Sequence, residues 1–405
     1  MRRKVTALLA ASSLLVSNTV FAADSVSKGL GIKTDIGGTV IMQGTPEAND
    51  GKNKGLSAAS YLFDVKLTKE FEENGKVVVR FKGGRGAGLE VDENGNNGVN
   101  TYGQVNANAD ESLDSAANTL AKVVELYYEQ AILNDKLTVD FGKLNFCEFF
   151  ADNNFAGDDN SQFLTGSFAR DKTIDSVPQR PALRLNYVLF EKLDISYAYF
   201  AIDLNRFDAS GINIAQFNFK PYPNGNYRLY VWGNNGVHYK YNDNTSKSGS
   251  YGFGISVDQA VNDGFGVFAR CGYKEHSFGN HATGTGTDGK ELNNFALPLS
   301  VMWSVGSQFN GSKWSRDNDV LGIAIGQIYG SSDAKGVIAE YNNGKYKDGA
   351  ETQFEVYYKF TLNNHIALTP AFQYFANPRG GNVLSGASTA DKNVFVCGVR
   401  TAFNF

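Results

Sequence analysis

NVFVCGVRTAFNF, residues Asn393 to Phe405, closes the chain, and its reading decides the fold. Phe395, Cys397, Val399, Thr401, Phe403 and Phe405 fall on one parity, and Val394, Val396, Gly398, Arg400, Ala402 and Asn404 on the other. Successive side chains of a strand point to opposite faces, so this segment presents one face suited to lipid and one suited to water. Upstream, Thr352 to Leu362 repeats the pattern, with Phe354, Val356, Tyr358, Phe360 and Leu362 against Gln353, Glu355, Tyr357, Lys359 and Thr361. After Asn363-Asn364, His365 to Ala376 sets Ile366, Leu368, Pro370, Phe372 and Tyr374 against Ala367, Thr369, Ala371 and Gln373. A soluble sandwich also alternates, but its polar face is the outer one.

Working outward from this end, sixteen such segments can be read: roughly 34–42, 59–69, 76–84, 122–133, 136–143, 181–189, 192–202, 213–219, 225–234, 249–259, 265–274, 294–305, 319–328, 352–362, 365–376 and 393–405. Even-numbered segments mostly lead into tight connections such as Asn134-Asp135, Phe190-Glu191, Asn262-Asp263-Gly264 and Asn363-Asn364, and odd-numbered ones into long polar stretches. Short turns on one rim and long loops on the other are the pattern of outer-membrane barrels. The stretch Gly306 to Asn318 breaks it, being long where a short turn is expected. The expected fold is an all-β transmembrane antiparallel barrel of about sixteen strands, with long extracellular loops partly folded into the lumen.

The composition agrees. The 405 residues are 42% hydrophobic, 20% charged and 13% aromatic, with 44 Gly, 8 Pro and 3 Cys, which excludes a disordered chain or a disulfide scaffold. Cys147, Cys271 and Cys397 lack metal-ligand spacing, and the net charge of −4 provides no basic footprint for nucleic acid. The basic start at Arg2, Arg3 and Lys4, the apolar run VTALLAASSLLV and the small residues around Ala22 read as a signal peptide, residues 1–22, cleaved after Ala22. Residues 23–405 then form a single barrel domain. That apolar run is too short to span a bilayer as a helix, so a closed barrel is the remaining spanning structure.

The polar parity contains Asp64, Lys66, Arg80, Lys82, Glu125, Glu129, Asp140, Arg184, Arg228, Arg270, Lys274, Glu355, Lys359 and Arg400. Charges facing lipid would cost about 2–4 kcal/mol each near mid-bilayer for Arg or Lys, so their confinement to one parity points to a wet lumen. Mixed signs suit neutral polar solutes better than ions of one charge. Any one of these residues could equally do no more than keep a generic pore wet.

Two long loops follow the third and fifth strands. In the first, Asp110 to Lys122 (DESLDSAANTLAK) places Leu113, Ala116, Ala117 and Leu120 at helical spacing. The second, Leu144 to Ala169, interleaves Phe146, Phe149, Phe150, Phe155, Phe163 and Phe168 with Asp152, Asn153, Asn154, Asp158, Asp159, Asn160 and Gln162. Sugars use both chemistries, packing C–H faces on rings and exchanging hydrogen bonds with amides and carboxylates. The burial preference of Phe makes about four of the six anchors of the loop rather than a solute surface. The site expected is a pore lining of Arg80, Glu125, Glu129, Arg184, Arg228 and Arg270, narrowed by Asp152, Asn153 and Phe155. Arg184, which follows the inward loop in sequence, is expected to govern passage more than Arg400.

The segment GKLNFCEFFADNNFAGDDNSQFLTGSF (Gly142 to Phe168) resembles the signature of the carbohydrate-selective porins, the OprB-type family. So do GNYRLYVWGN (Gly225 to Asn234), YGFGISVDQAVNDGFGVFARCGY (Tyr251 to Tyr273), GSKWSRDNDVLG (Gly311 to Gly322), EVYYKFTLNNHIALTPAFQYFANP (Glu355 to Pro378) and the closing strand. Ser315 to Asp319 departs from the family in lacking its usual proline. The resemblance implies an outer-membrane barrel of a Gram-negative-type bacterium with inward-folded loops, a constriction of arginine and acidic groups, and passive uptake of monosaccharides such as glucose. Partners would be small carbohydrates and outer-membrane lipids, with no cofactor. An enzyme is disfavoured because His238, His276, His281 and His365 have no nucleophile context around them. A general or ion-preferring porin and a plugged structural barrel remain the rival readings.

Overall fold

A computed structural model describes residues 30–47, 54–86, 88–89, 98–109, 121–175, 179–203, 206, 209–240, 246–280, 283–285, 291–293, 299–334, 347, 349–382 and 393–405. The signal peptide, its cleavage site, the helix expected within Asp110 to Lys122 (apart from its last two residues) and His281 lie outside them.

Sixteen strands form the wall: β1 Ile32–Glu47, β2 Lys54–Phe71, β3 Gly75–Arg85, β4 Lys122–Ile132, β5 Leu137–Leu144, β6 Arg180–Phe190, β7 Leu193–Ala201, β8 Gly211–Phe219, β9 Gly225–Lys240, β10 Ser246–Asn262, β11 Phe265–Lys274, β12 Leu299–Gly311, β13 Arg316–Gly330, β14 Ala350–Asn363, β15 Ile366–Ala376 and β16 Val394–Asn404. Each pairs antiparallel with its sequence neighbours, and β16 pairs back onto β1, with Ile41 opposite Arg400. The seam extends to the last residue, where Phe405 N–H donates to Ile36 O at 2.8 Å and Ile36 N–H to Phe405 O at 3.2 Å. Closure leaves the wall without an edge, which a bilayer demands because it offers no water to unpaired amides.

Parity follows the sequence. On β14 the inward Glu351, Gln353, Glu355 and Tyr357 are buried, while on β16 Phe395, Cys397 and Val399 are exposed outward and Val394, Val396 and Arg400 are buried inward. Every even-numbered strand before β16 ends in a short turn, and some of these need left-handed backbone. Asn134 and Asp135 supply it between β4 and β5, with φ of 55° and 63°.

The stretch that broke the short-and-long rhythm resolves. β12 runs on to Gly311 and β13 begins at Arg316, the two pairing at Gly311–Arg316, so the connection is a short turn at 312–315 with Ser315 in the left-handed region. Strand twelve accordingly lies five or six residues beyond its expected span of 294–305, and 294–298 are outside the described residues.

The outward parity carries the lipid contact: Ile255, near the middle of β10, is 48% exposed beside Phe253 at 49%. Replacing Ile255 with Arg should cost about 2–4 kcal/mol of folding stability, read by urea titration of the barrel in lipid vesicles, whereas Ile255→Leu should be close to neutral.

Candidate functional site: a constricted lumen

Two chain segments fold into the barrel. One, residues 145–175, leaves β5, makes single helical turns at α1 (Phe146–Phe149) and α2 (Gly166–Ala169), and returns to β6. The other, residues 98–109, descends from the connection between β3 and β4. They are joined by backbone bonds, Gly166 N–H to Gln104 O at 2.9 Å, Ser167 N–H to Gly103 O at 2.9 Å and Ala107 N–H to Leu164 O at 2.7 Å.

Buried charged and amide side chains of the wall hold both. Arg400, 0% exposed, donates from Nη1 to Asp159 O at 3.0 Å and from Nη2 to Gln162 O at 2.7 Å. Arg270, 2% exposed, donates to Phe168 O at 2.5 Å and Ala151 O at 3.3 Å. Glu355 accepts from Leu164 N–H and Thr165 N–H at 2.8 and 2.7 Å, and Glu351 from Tyr102 N–H and Gly103 N–H at 2.6 and 2.8 Å. Phe146, Phe150, Phe163 and Phe168 are buried in the clusters under the long segment, and Phe149 and Phe155 are half-buried. Four of its six phenylalanines are thus anchors.

Two open spaces border β3, and one of them β2 as well. Cross-strand pairs bring Asp64, Lys66, Arg80 and Lys82 together there, with Lys66 opposite Arg80 and Asp64 opposite Lys82. The Arg80 fork holds Asp64 at both ends, Nε to Oδ1 at 2.9 Å and Nη2 to Oδ2 at 2.6 Å, while Nη1 reaches Glu148 Oε1 on α1 at 2.8 Å and lies 3.7 Å from Glu125. A cavity of about 540 Å³ lies on one side of this bridge, lined by Lys82, Asp152, Asn153, Asp159 and Arg170 among others. A second, of about 430 Å³, runs to the turn-side ends of β1 and β16 at Gly37 and Asn404. Arg80, Glu148, Asp158 and Asn160 line both and form the strait between them.

The expected lining residues therefore divide. Arg80, Asp152 and Asn153 border the first cavity, although Asn153 also anchors its segment through Ser256 Oγ at 3.2 Å and Val257 O at 3.0 Å. Glu125 is buried behind Arg80, and Glu129 pairs with Lys76 at 2.8 Å toward the turn-side rim. Arg184 is bound to Asp140 at 2.6 Å with its guanidinium 4.8 Å from the centre of the Phe149 ring. Arg228 is buried in an ion pair with Asp258, and Arg270 is covered by the inward segment. Neither Arg228 nor Arg270 faces the open cavities, because the segment's path lies over them. The ranking of Arg184 over Arg400 loses its geometric basis, since Arg400 holds the narrowing segment itself. Parity reading overlooked Glu148, which belongs to no strand; its place beside the Phe run was the available signal.

Asp152 sits on the inward segment, and burial pushes its carboxyl above the ordinary aspartate range.

Residues 213–405 match the family described as carbohydrate-selective porin, OprB family. Among solved structures, the chain is similar to Pseudomonas putida OprB at high pH, with TM-score 0.75 and 13% identity over 94% of this chain and 96% of that one. It is similar to the low-pH structure of that protein at TM-score 0.54 and 15% identity, covering 94% and 95%. The outer membrane channel DcaP of Acinetobacter baumannii matches at TM-score 0.54 and 12% identity, covering 92% and 97%. No curated protein matches the chain. The resemblance drawn from the sequence is borne out over residues 213–405, and the closed sixteen-stranded barrel is the fold of the outer-membrane channels to which the chain is similar.

Arg400→Ala should leave two loop carbonyls without their cationic donor, each such bond being worth about 1.5–3 kcal/mol, and the freed segment should raise and destabilise the single-channel current. Acidification should neutralise Asp152 at a higher pH than a carboxylate in water. Cation preference, read as reversal potential in a KCl gradient, should fall in that step, and Asp152→Asn should remove the step.

Proposed function

We propose that this barrel admits monosaccharides and other small carbohydrates, glucose among them, by passive diffusion across the outer membrane, a reading supported by the match of residues 213–405 to the carbohydrate-selective porin family. The observation that carries the reading is the strait of Arg80, Glu148, Asp158 and Asn160 shared by the two cavities. It offers a cationic fork, two carboxylates and an amide within one narrowing, so a neutral polyol finds donors and acceptors while neither ion sign meets a uniform field.

Arg80 suits paired hydroxyls because its fork is planar and its far side is already fixed by Asp64. Its third contact, to Glu148, is the one a solute can replace: the Glu148 side chain is 43% exposed against 12% for Arg80. A sugar hydroxyl entering between them accepts from Nη1 and donates to the carboxylate. Sites of this kind bind weakly enough to release, as conduction requires.

Single-channel conductance in a planar bilayer, repeated while titrating glucose, maltose and sucrose, tests the reading. Stepwise openings partly blocked by sugars support it. Openings indifferent to sugar and sensitive to ion type favour an ion-preferring pore, and silence a plugged barrel. Arg80→Ala should weaken glucose block by about tenfold, the scale of one lost hydrogen bond to a charged group.

A further inference from the structure

Phe155 lines neither side of the strait. It sits on the far flank of the inward segment and borders a third cavity of about 520 Å³. That cavity lies among the short turns β8–β9, β10–β11 and β12–β13, so it belongs to the periplasmic mouth. Its chemistry differs from that of the strait: among the described residues lining it, Asp263 is the one charged side chain, and the rest are aromatic, aliphatic, glycine, proline or amide.

Phe155 is set there rather than left loose. Its N–H donates to Asn153 Oδ1 at 3.1 Å, and its carbonyl accepts from Gln308 Nε2 at 2.7 Å. Gln308 Nε2 also lies 2.7 Å from the Tyr357 hydroxyl, which ties it to the wall. The ring packs on the buried cluster around Phe163 and lies over Gly266, where a Cβ would come within 2.1 Å of Phe155 Cζ. Glycine is therefore what gives the ring its place. Around the same space stand the Tyr222 hydroxyl and the Asn262 Nδ2 group, both without a hydrogen-bond partner among the described residues.

We propose that Phe155, seated on Gly266 and flanked by Tyr222, Asn262 and Gln308, forms a second, uncharged sugar subsite at the periplasmic mouth of the pore. The inference rests on the carbohydrate reading above. An aromatic ring takes the C–H face of a pyranose, and the hydroxyl and amides around it bond the sugar's rim. With almost no fixed charge, the subsite discriminates against ions and charged sugar acids while holding neutral hexoses. It stands on the same periplasmic rim as the cavity that reaches Gly37 and Asn404, and a sugar arriving from the periplasm meets it there.

The test uses the full-length barrel inserted in one orientation into planar bilayers, with glucose added to one compartment at a time and association rates taken from current noise. Phe155→Ala should lower the rate from the periplasmic side by about five- to tenfold, while the rate from the extracellular side stays near the wild-type value. Gly266→Ala, whose methyl displaces the ring without removing it, should reproduce the loss. Far-UV circular dichroism verifies that both variants fold. Unchanged periplasmic rates in both variants, with wild-type block intact, overturn the subsite and leave the sugar pore standing. A wild-type current indifferent to glucose from either side overturns both.

Discussion

Burial of charge on the inner wall is the constraint on which this molecule turns. Arg270, Arg400, Glu351 and Glu355 point inward from β11, β16 and β14 and are almost wholly withdrawn from solvent. A charge so placed is tolerable only with partners, and these four find them in the backbone of the inward segments. The need is reciprocal. A segment folded into the lumen buries peptide groups that no sheet ladder satisfies, and the wall supplies their donors and acceptors. Neither the wall charges nor the buried loops would be stable alone, so the narrowing of the pore is part of the fold.

This clamp also decides where the passage runs. Its members lie on β1, β11 and β14 to β16, with Gln43 and Gln373 both donating to Val105 O. On the other side β8 to β10 hold the long segment through Gln216, Tyr230 and Ser256, and the two cavities that meet at Arg80 border β3, where Arg80 is held by an ion pair with Asp64 of β2 in place of loop-backbone bonds. Arg80 differs from Arg400 for this reason. Both are inward arginines on neighbouring stretches of one wall, but the loop lies over one and passes opposite the other.

The strands were legible because alternation has one cause over the whole wall, lipid outside and water or loop inside. It fades where strands leave the apolar slab: Gln308 to Gly311 and Arg316 to Asn318 are mostly polar or glycine on both parities, yet Gly311 still pairs with Arg316 across a bulge. The site was legible by class but not by position. Parity identifies which charges face inward, whereas coverage depends on contacts such as Arg400 to Asp159, 241 residues apart in sequence. The phenylalanine run was more informative, since burial preference leads one to expect about four anchors among six, and packing makes these Phe146, Phe150, Phe163 and Phe168, with Phe149 and Phe155 keeping partial exposure.

The strait joins a stiff element to a compliant one, and this division suits passive transport. Asp64 grips the Arg80 fork through two atoms, so its free edge keeps one direction whether or not a solute is present. A pre-set donor costs little ordering entropy when a hydroxyl arrives. Glu148 rides on a single helical turn and makes a one-point contact, so it can yield and return. Were both groups stiff, the bridge would bar the lumen; were both loose, binding would have to order them each time and the strait would lose its preference for a solute with hydroxyls at the right spacing. Under the proposed function, one fixed cation facing one movable carboxylate would let a sugar exchange the bridge for bonds of its own and restore it on leaving, with no energy supplied from elsewhere.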